Sequence, residues 1–362
     1  MKRGIGPSRI AGAGGMFVRK PRMTTDSGRS AALAYRPYCQ QALPMINSDY
    51  NASWPLRNGH VQSIYPTLFR KVASIVYQRE RIDTPDRDFL DLDWSVIGGD
   101  GLAIISHGLE GHSRRAYVKG MVRAMNQEGI DALAWNYRGC SGEPNRLLRL
   151  YHNGAIDDLH TVITHAASSY SKIFLIGFSM GGNMTLLYLG KQARAVPESV
   201  KGSITFSVPC DLKDASLALE RKENALYMKR FLRLLHEKIK VKKICFPQDI
   251  DDHNYRQLKT FRDFDGKYTA PMHGFASAED YWKKCSCRPW LGRIKVPALI
   301  VNSMDDPFLE GGCYPVAECA NNPNIILEIT RYGGHVGFVA HNRKGCYWSE
   351  ERAVKFIKSV RT

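Results

Sequence analysis

The chain has 362 residues, with 51 Lys and Arg against 35 Asp and Glu, a formal charge of +16. Hydrophobic residues make up 44% and charged ones 24%, a balance that excludes a disordered, collagenous or coiled-coil protein. No apolar run approaches the ~18–20 residues that a membrane-spanning helix needs, so an integral membrane protein is not expected either.

Residues 1–45 read as a flexible basic segment outside the fold. The first thirty carry seven basic side chains against one acid, Asp26, and Arg9 interrupts their short apolar stretch, so they lack a secretory core. Gly12-Ala13-Gly14-Gly15 follows no strand-like run and does not read as a dinucleotide loop. Residues 46–362 read as a single domain. Ser74–Arg81 and Asp88–Ile97 are predicted to pair as antiparallel strands around Thr84-Pro85-Asp86. Strands are expected at Leu102–Ser106, Ala132–Tyr137, Lys172–Ile176, Lys201–Val208, Ala298–Asn302 and Ile325–Ile329. Helices are expected at Arg114–Glu128, Ile156–Ser169, Met180–Ala193 and Trp348–Val360. Short apolar strands alternating with helices predict an α/β fold, a mainly parallel sheet covered on both faces. Between about 209 and 292 the alternation stops, and a loop of that length is rarely structureless. This interval, with a basic helical pattern over Ala218–Lys243, is read as an inserted helical cap.

Gly177-Phe178-Ser179-Met180-Gly181 lies between a predicted strand and a predicted helix. G-x-S-x-G in that context is a nucleophile elbow, a tight turn that lifts the serine hydroxyl above the sheet and needs small residues at ±2. Asp305-Asp306 follows the strand Ala298–Asn302, and Gly333-Gly334-His335 follows Ile325–Ile329. The order Ser179, Asp306, His335 is that of an α/β-hydrolase triad: nucleophile, acid that orients the imidazole, and general base. Asp306 is preferred to Asp305 because Pro307 fixes the turn just beyond it; Asp305 is left as a strand-end cap. His107-Gly108-Leu109-Glu110-Gly111 follows Leu102–Ser106, so the backbone N–H groups of Leu109 and Met180 are the expected oxyanion donors. His107 reads as a loop-bracing hydrogen bonder. Arg138 could steer an anionic group or brace its glycine-rich loop. A metal at His107 and His112 is not expected, for want of further ligands at a useful spacing, and no cofactor is implied.

Several strings resemble the YheT-like branch of the α/β-hydrolases: Trp54-Pro55-Leu56, Asn58-Gly59-His60-Val61-Gln62, Asp88–Trp94, His107–Gly111, Asn136–Gly142, Gly177–Asn183, Tyr268–Pro271, Asp305–Phe308 and Gly333–Phe338. The resemblance runs from about Ser53 to the C-terminus. It implies a serine hydrolase with esterase or lipase activity on carboxylic esters. Animal relatives commonly carry an N-terminal membrane helix, and that feature is not carried over here.

The leading reading is a serine esterase acting on small or medium-chain acyl esters or lipids through an acyl-enzyme. Acyl transfer to an alcohol by the same intermediate, and a catalytically silent lipid-binding protein, are the alternatives. His152 and Asp157 match H-x-x-x-x-D, a pattern associated with acyltransferases in some related hydrolases, but Asp157 also suits the first turn of a helix. Nine cysteines without paired spacing suggest reduced thiols of a cytoplasmic protein. The positive charge is not accompanied by a nucleic-acid-binding signature, so no nucleic-acid partner is expected. Twelve of the sixteen net charges lie in residues 1–30 and in the segment Glu220–Lys243. Leu226, Met228, Phe231, Leu232, Leu235 and Ile239 offer that segment an apolar face, which suggests peripheral contact with anionic lipid surfaces. The oligomeric state is not legible.

Overall fold

The computed structural model describes residues 45–72, 75–340 and 345–361; the basic segment expected over 1–45 lies, but for Met45, outside the described residues. Nine strands, numbered in chain order, form one sheet. They are β1 (Met45–Asn47), β2 (Gln78–Asp83), β3 (Phe89–Ser95), β4 (Leu102–Ser106), β5 (Asp131–Asn136), β6 (Ile173–Phe178), β7 (Val200–Phe206), β8 (Ala298–Ser303) and β9 (Ile325–Thr330). Their spatial order is β1-β9-β8-β7-β6-β4-β5-β3-β2. Pairings from β5 through β4, β6, β7, β8 and β9 to β1 are parallel, whereas β3 runs antiparallel to both β2 and β5. This is the α/β-hydrolase architecture that the motifs imply.

The parallel strands are apolar on both faces because both faces are covered. Along β4, Leu102 and Ile104 join one core with α3 (Ile156–Ala167) and α4 (Met180–Lys191), through Leu159, Val162, Met184 and Leu187. The alternate residues Ala103 and Ile105 join a second core with α2 (Ala116–Gln127) and α11 (Trp348–Val360), through Met121, Met125, Phe356 and Ile357. Each fully buried side chain of this kind stabilises the fold by about 2 kcal/mol.

The antiparallel edge is held differently. Arg79 faces Asp93 and Arg81 faces Asp91 across the β2–β3 pair, each arginine forking onto both carboxylate oxygens at 2.7–2.9 Å. Aspartates therefore alternate with leucines in β3 because two guanidinium groups cover that face of the strand.

A strand and a helix ahead of β2 escape the sequence reading. One is β1, three residues long, on the sheet edge beside β9. The other is α1 (Gly59–Phe69), which contains Pro66 and is capped by Asn58, whose side chain accepts from Val61 N at 3.1 Å.

Between β7 and β8 the chain forms α5 (Leu212–Leu219), α6 (Ala225–Cys245), α7 (Phe261–Phe264), a π turn (Asp265–Thr269), α8 (Ala270–His273) and α9 (Ala278–Cys285). A short α10 (Val316–Ala320) follows β8. The insertion has its own core: Met228, Leu232, Leu235 and Ile239 of α6 meet Ile250, Tyr255, Phe264 and Tyr268, with Leu150 and Phe308 reaching in from the sheet side. Most of the apolar face of α6 is thus spent inside the protein, with Leu226 and Ile244 left exposed at its two ends. Among the described residues no helix is long and apolar enough to cross a membrane, and the eight described cysteines are free thiols.

Candidate active site

Ser179 caps α4 immediately beyond β6, with φ 52° and ψ −119°, a backbone state that a non-glycine residue holds only when its surroundings enforce it. Here they do. Its N–H donates to Phe206 O at 2.8 Å and its carbonyl accepts from Asn183 N at 3.0 Å. A Cβ on Gly177 would stand 2.6 Å from Gly181 O, and one on Gly181 would stand 2.6 Å from His107 O. The two glycines flanking the serine are therefore demanded by backbone packed on backbone, as the elbow pattern requires.

His335 arrives on the loop after β9. Gly334, at φ +55°, leaves no space for a Cβ, which would stand 2.7 Å from Gln62 Cβ. The His335 N–H donates to Ser63 Oγ of α1 at 2.7 Å, so the helix missed in the sequence seats the histidine. His335 Nε2 lies 2.8 Å from Ser179 Oγ, and Nδ1 lies 2.9 and 3.1 Å from the two oxygens of Asp306. Asp306 is buried after β8, and its Oδ1 also accepts from Phe308 N at 2.9 Å. Asp305 turns the other way: its Oδ1 accepts from Gly334 N at 2.9 Å, bracing the histidine loop, and burial raises its pKa.

The loop after β4 approaches the serine closely, and a Cβ on Gly108 would stand 3.4 Å from that of Ser179. Three tyrosines fix this loop. Gly108 N–H donates to Tyr117 at 2.9 Å, Glu110 N–H to Tyr151 at 3.0 Å, and Tyr137 donates to His107 O at 2.5 Å. Glu110 is held at φ 54°. The N–H groups of Leu109 and Met180 have no acceptor among the described residues; in Met180 this follows from its place in the first turn of α4. His107 is fully buried, with Nδ1 2.8 Å from Gly108 O and Nε2 3.3 Å from Tyr137 N. The neutral ring with its proton on Nδ1 satisfies both contacts, and burial lowers its pKa to about 3. It braces the loop.

Arg138 is not at the rim. It is buried in a cage of carboxylates, 2.6 Å from Asp158, 2.9 Å from Asp88 and 3.0 Å from Asp86. Burial works against its charge, but Asp158 and Asp86 more than offset this and raise its pKa. Its guanidinium is buried against these carboxylates and is not presented to an anion at the rim. His152 and Asp157 do not act as a pair: Asp157 is exposed at the start of α3 and bonded to Arg149 at 3.0 Å, while His152 accepts from Gly154 N at 3.1 Å. Among the described residues no cluster of three His, Cys, Asp or Glu side chains could hold a metal ion.

Ser179 and His335 open into a cavity of about 460 Å³. Its walls come from the sheet-end loops, from Ser63, Pro66 and Thr67 of α1, and from the insertion, which supplies Leu212, Phe231, Leu235, Phe261, Phe264 and Trp282. The mixture of an apolar wall and a few convergent polar groups suits a small amphiphilic ligand. Asp265, in the π turn, is the buried acid of the insertion wall. It accepts from Thr269 Oγ1 at 2.6 Å and Trp282 Nε1 at 2.8 Å, and burial raises its pKa to about 6 against those two bonds.

Comparison with known proteins gives a consistent picture. The family profile described as Hydrolase_4, serine aminopeptidase S33, matches residues 99–311. The Escherichia coli K12 protein YheT, which carries an esterase name, is 34% identical over 78% of this chain and 84% of its own. Human phospholipase ABHD3 is 30% identical over 89% of this chain and 80% of its own. An esterase from Pyrococcus furiosus has the same fold, with a TM-score of 0.54 at 16% identity, covering 80% of this chain and 92% of that one.

Proposed function

This chain belongs to the YheT-like branch of the α/β-hydrolases, and from that membership we propose that it is a serine carboxylesterase acting on small or medium-chain acyl esters. The observation that carries the reading is the continuous contact from Ser179 Oγ through His335 to Asp306, at 2.8 and 2.9 Å, beside two backbone N–H groups without acceptors among the described residues.

In this mechanism Ser179 Oγ attacks the ester carbonyl and its proton passes to His335 Nε2. The carbonyl oxygen gains negative charge and takes hydrogen bonds from Leu109 and Met180, each donor contributing ~10²–10³ in rate. Asp306 holds the Nδ1–H tautomer and stabilises the imidazolium. Collapse of the tetrahedral adduct breaks the C–O bond, and the alcohol leaves with the proton from His335. Water repeats the sequence on the acyl-serine, releasing the acid and restoring the hydroxyl. The segment 209–292 acts as a cap whose apolar side chains take the acyl chain and exclude water from the intermediate. No cofactor is required.

A fluorophosphonate probe tests the nucleophile: wild type should label and Ser179→Ala should not. A p-nitrophenyl ester series should show turnover greatest for short or medium chains and low for palmitate. Absence of labelling in wild type, or equal labelling of the variant, removes the enzyme reading and favours a lipid-binding protein. An added alcohol that yields ester faster than free acid would make the protein an acyltransferase.

A further inference from the structure

The cavity wall carries a set of charges that the hydrolysis mechanism does not use. Arg114 and Arg115, at the start of α2, and Arg230, on α6, all line it. Among the described residues none of the three is ion-paired, and the one side-chain bond made by Arg115 is Nη2 to the Glu110 carbonyl at 3.0 Å. The two carboxylates on the same wall are engaged elsewhere: Glu110 with Tyr151 and, at 3.9 Å, Lys238; Asp265 with Thr269 and Trp282.

These cations act on one another. The Arg230 pKa is lowered by burial and then by Arg115 and Arg233, with no acid opposing. His112, on the same wall, is lowered to about 4 by burial and then by Arg115 and Arg114. Uncompensated cations gathered on one wall repel one another, though solvent screens the repulsion in part where it reaches Arg114 and Arg230. The arrangement gains most when an anion enters. Guanidinium forks match the paired oxygens of phosphate and carboxylate. The Arg115 bond to the Glu110 carbonyl ties that guanidinium to the loop that presents Leu109, so an anion held by the set shares the cavity with Ser179.

We propose that Arg114, Arg115 and Arg230 form an anion subsite in the catalytic cavity, and that the preferred substrate is an amphiphilic acyl ester that also carries a phosphate or carboxylate group. The ester part of this statement rests on the esterase reading; the anion subsite does not.

The test therefore measures binding without turnover, in full-length Ser179→Ala protein. The probes are octyl phosphate, octanoate and octyl glucoside, each kept monomeric and titrated by calorimetry. At least one of the two anions should bind about tenfold tighter than octyl glucoside, equivalent to about 1.4 kcal/mol, and the margin should shrink in high salt. Arg114→Gln with Arg230→Gln should remove most of that margin. Both side chains are exposed and without acid partners, so circular dichroism should be unchanged. Arg230→Lys, which keeps charge and loses the fork, should retain part of the margin. Octyl phosphate binding tighter than octanoate assigns the subsite to phosphate esters, and the reverse order to carboxylates. Octyl glucoside binding as tightly as both anions, or a margin that survives the double substitution, overturns the proposal. An anion preference in a protein whose wild type cleaves no ester would leave the subsite standing and remove the esterase reading alone.

Discussion

Asp305 and Asp306 leave the end of β8 side by side, and the turn sends them to different partners: Gly334 N–H for the first and the His335 imidazole for the second. Asp306→Asn keeps the volume but presents an amide where the His335 N–H needs an acceptor. A loss of ~10³–10⁴ in kcat is expected, with an unchanged unfolding midpoint. Asp305→Asn keeps an oxygen for Gly334, so less than about a tenfold loss is expected; measuring kcat for both variants separates the roles. His107 yields a second prediction. Its folded pKa of about 3 lies below the ordinary histidine value, so between the two the unfolded chain binds the extra proton and stability falls as pH falls. His107→Gln should remove one proton, about 1.4 kcal/mol per pH unit, from that slope in urea melts. An unchanged slope would show that His107 is not buried neutral. The sequence identifies His107 as a brace because its loop is local. The role of Arg138 is not legible in the same way, since Asp88 and Asp158 lie 50 and 20 residues away.

Helices and strands of the sheet were legible because their apolar periods report directly on burial, whereas α1 inverts that signal. Gly59, Gln62 and Pro66 are its buried residues, while Val61, Ile64 and Leu68 are exposed. Gln62 is inside because it donates to Tyr50 and accepts from Val339 N, contacts that periodicity does not register; the signal present in the sequence is the Asn58 cap. The interior of the insertion was equally hidden, since the π turn and its acid depend on Trp282 reaching back to Asp265. That acid has a measurable consequence. Its pKa of about 6 is raised above the usual carboxylate value by burial, so the folded state binds the extra proton. The stabilising contribution is complete below pH 3.8 and lost as pH rises through 6. Asp265→Asn keeps an acceptor for Trp282 and cannot ionise. The variant should be more stable than wild type at pH 8, the difference vanishing toward pH 4, in thermal melts at the two pH values. A variant less stable at pH 8 would mean that the carboxylate charge is needed where it stands.

At the scale of the whole molecule the +16 charge has to be reconciled with an enzyme fold rather than a nucleic-acid module. The sequence locates six net charges in Glu220–Lys243 and sees there an amphipathic helix suited to lipid. The structure keeps most of that charge outside and withdraws most of the apolar face: Lys229, Arg230, Arg233 and Lys240 are exposed and only Lys242 is fully buried, while Met228, Leu232, Leu235 and Ile239 are core and Leu226 and Ile244 stay exposed at the helix ends. A helix that has already buried most of its apolar side has little left to insert into a bilayer, so its attraction to an anionic surface would be mainly Coulombic. That distinction is measurable, because screening acts on charge and leaves apolar insertion largely untouched. The protein should co-sediment with vesicles containing phosphatidylserine in low salt, and with neutral phosphatidylcholine vesicles far less. Raising the salt to about 0.5 M, where the Debye length falls to about 4 Å, should release it. Binding that persists in salt would point instead to inserted apolar side chains, and Trp54, Leu68, Phe69, Leu226 and Ile244 are among the exposed candidates. Equal sedimentation with both vesicle types would end the lipid-surface reading and leave the basic face of α6 to the cavity that Arg230 lines.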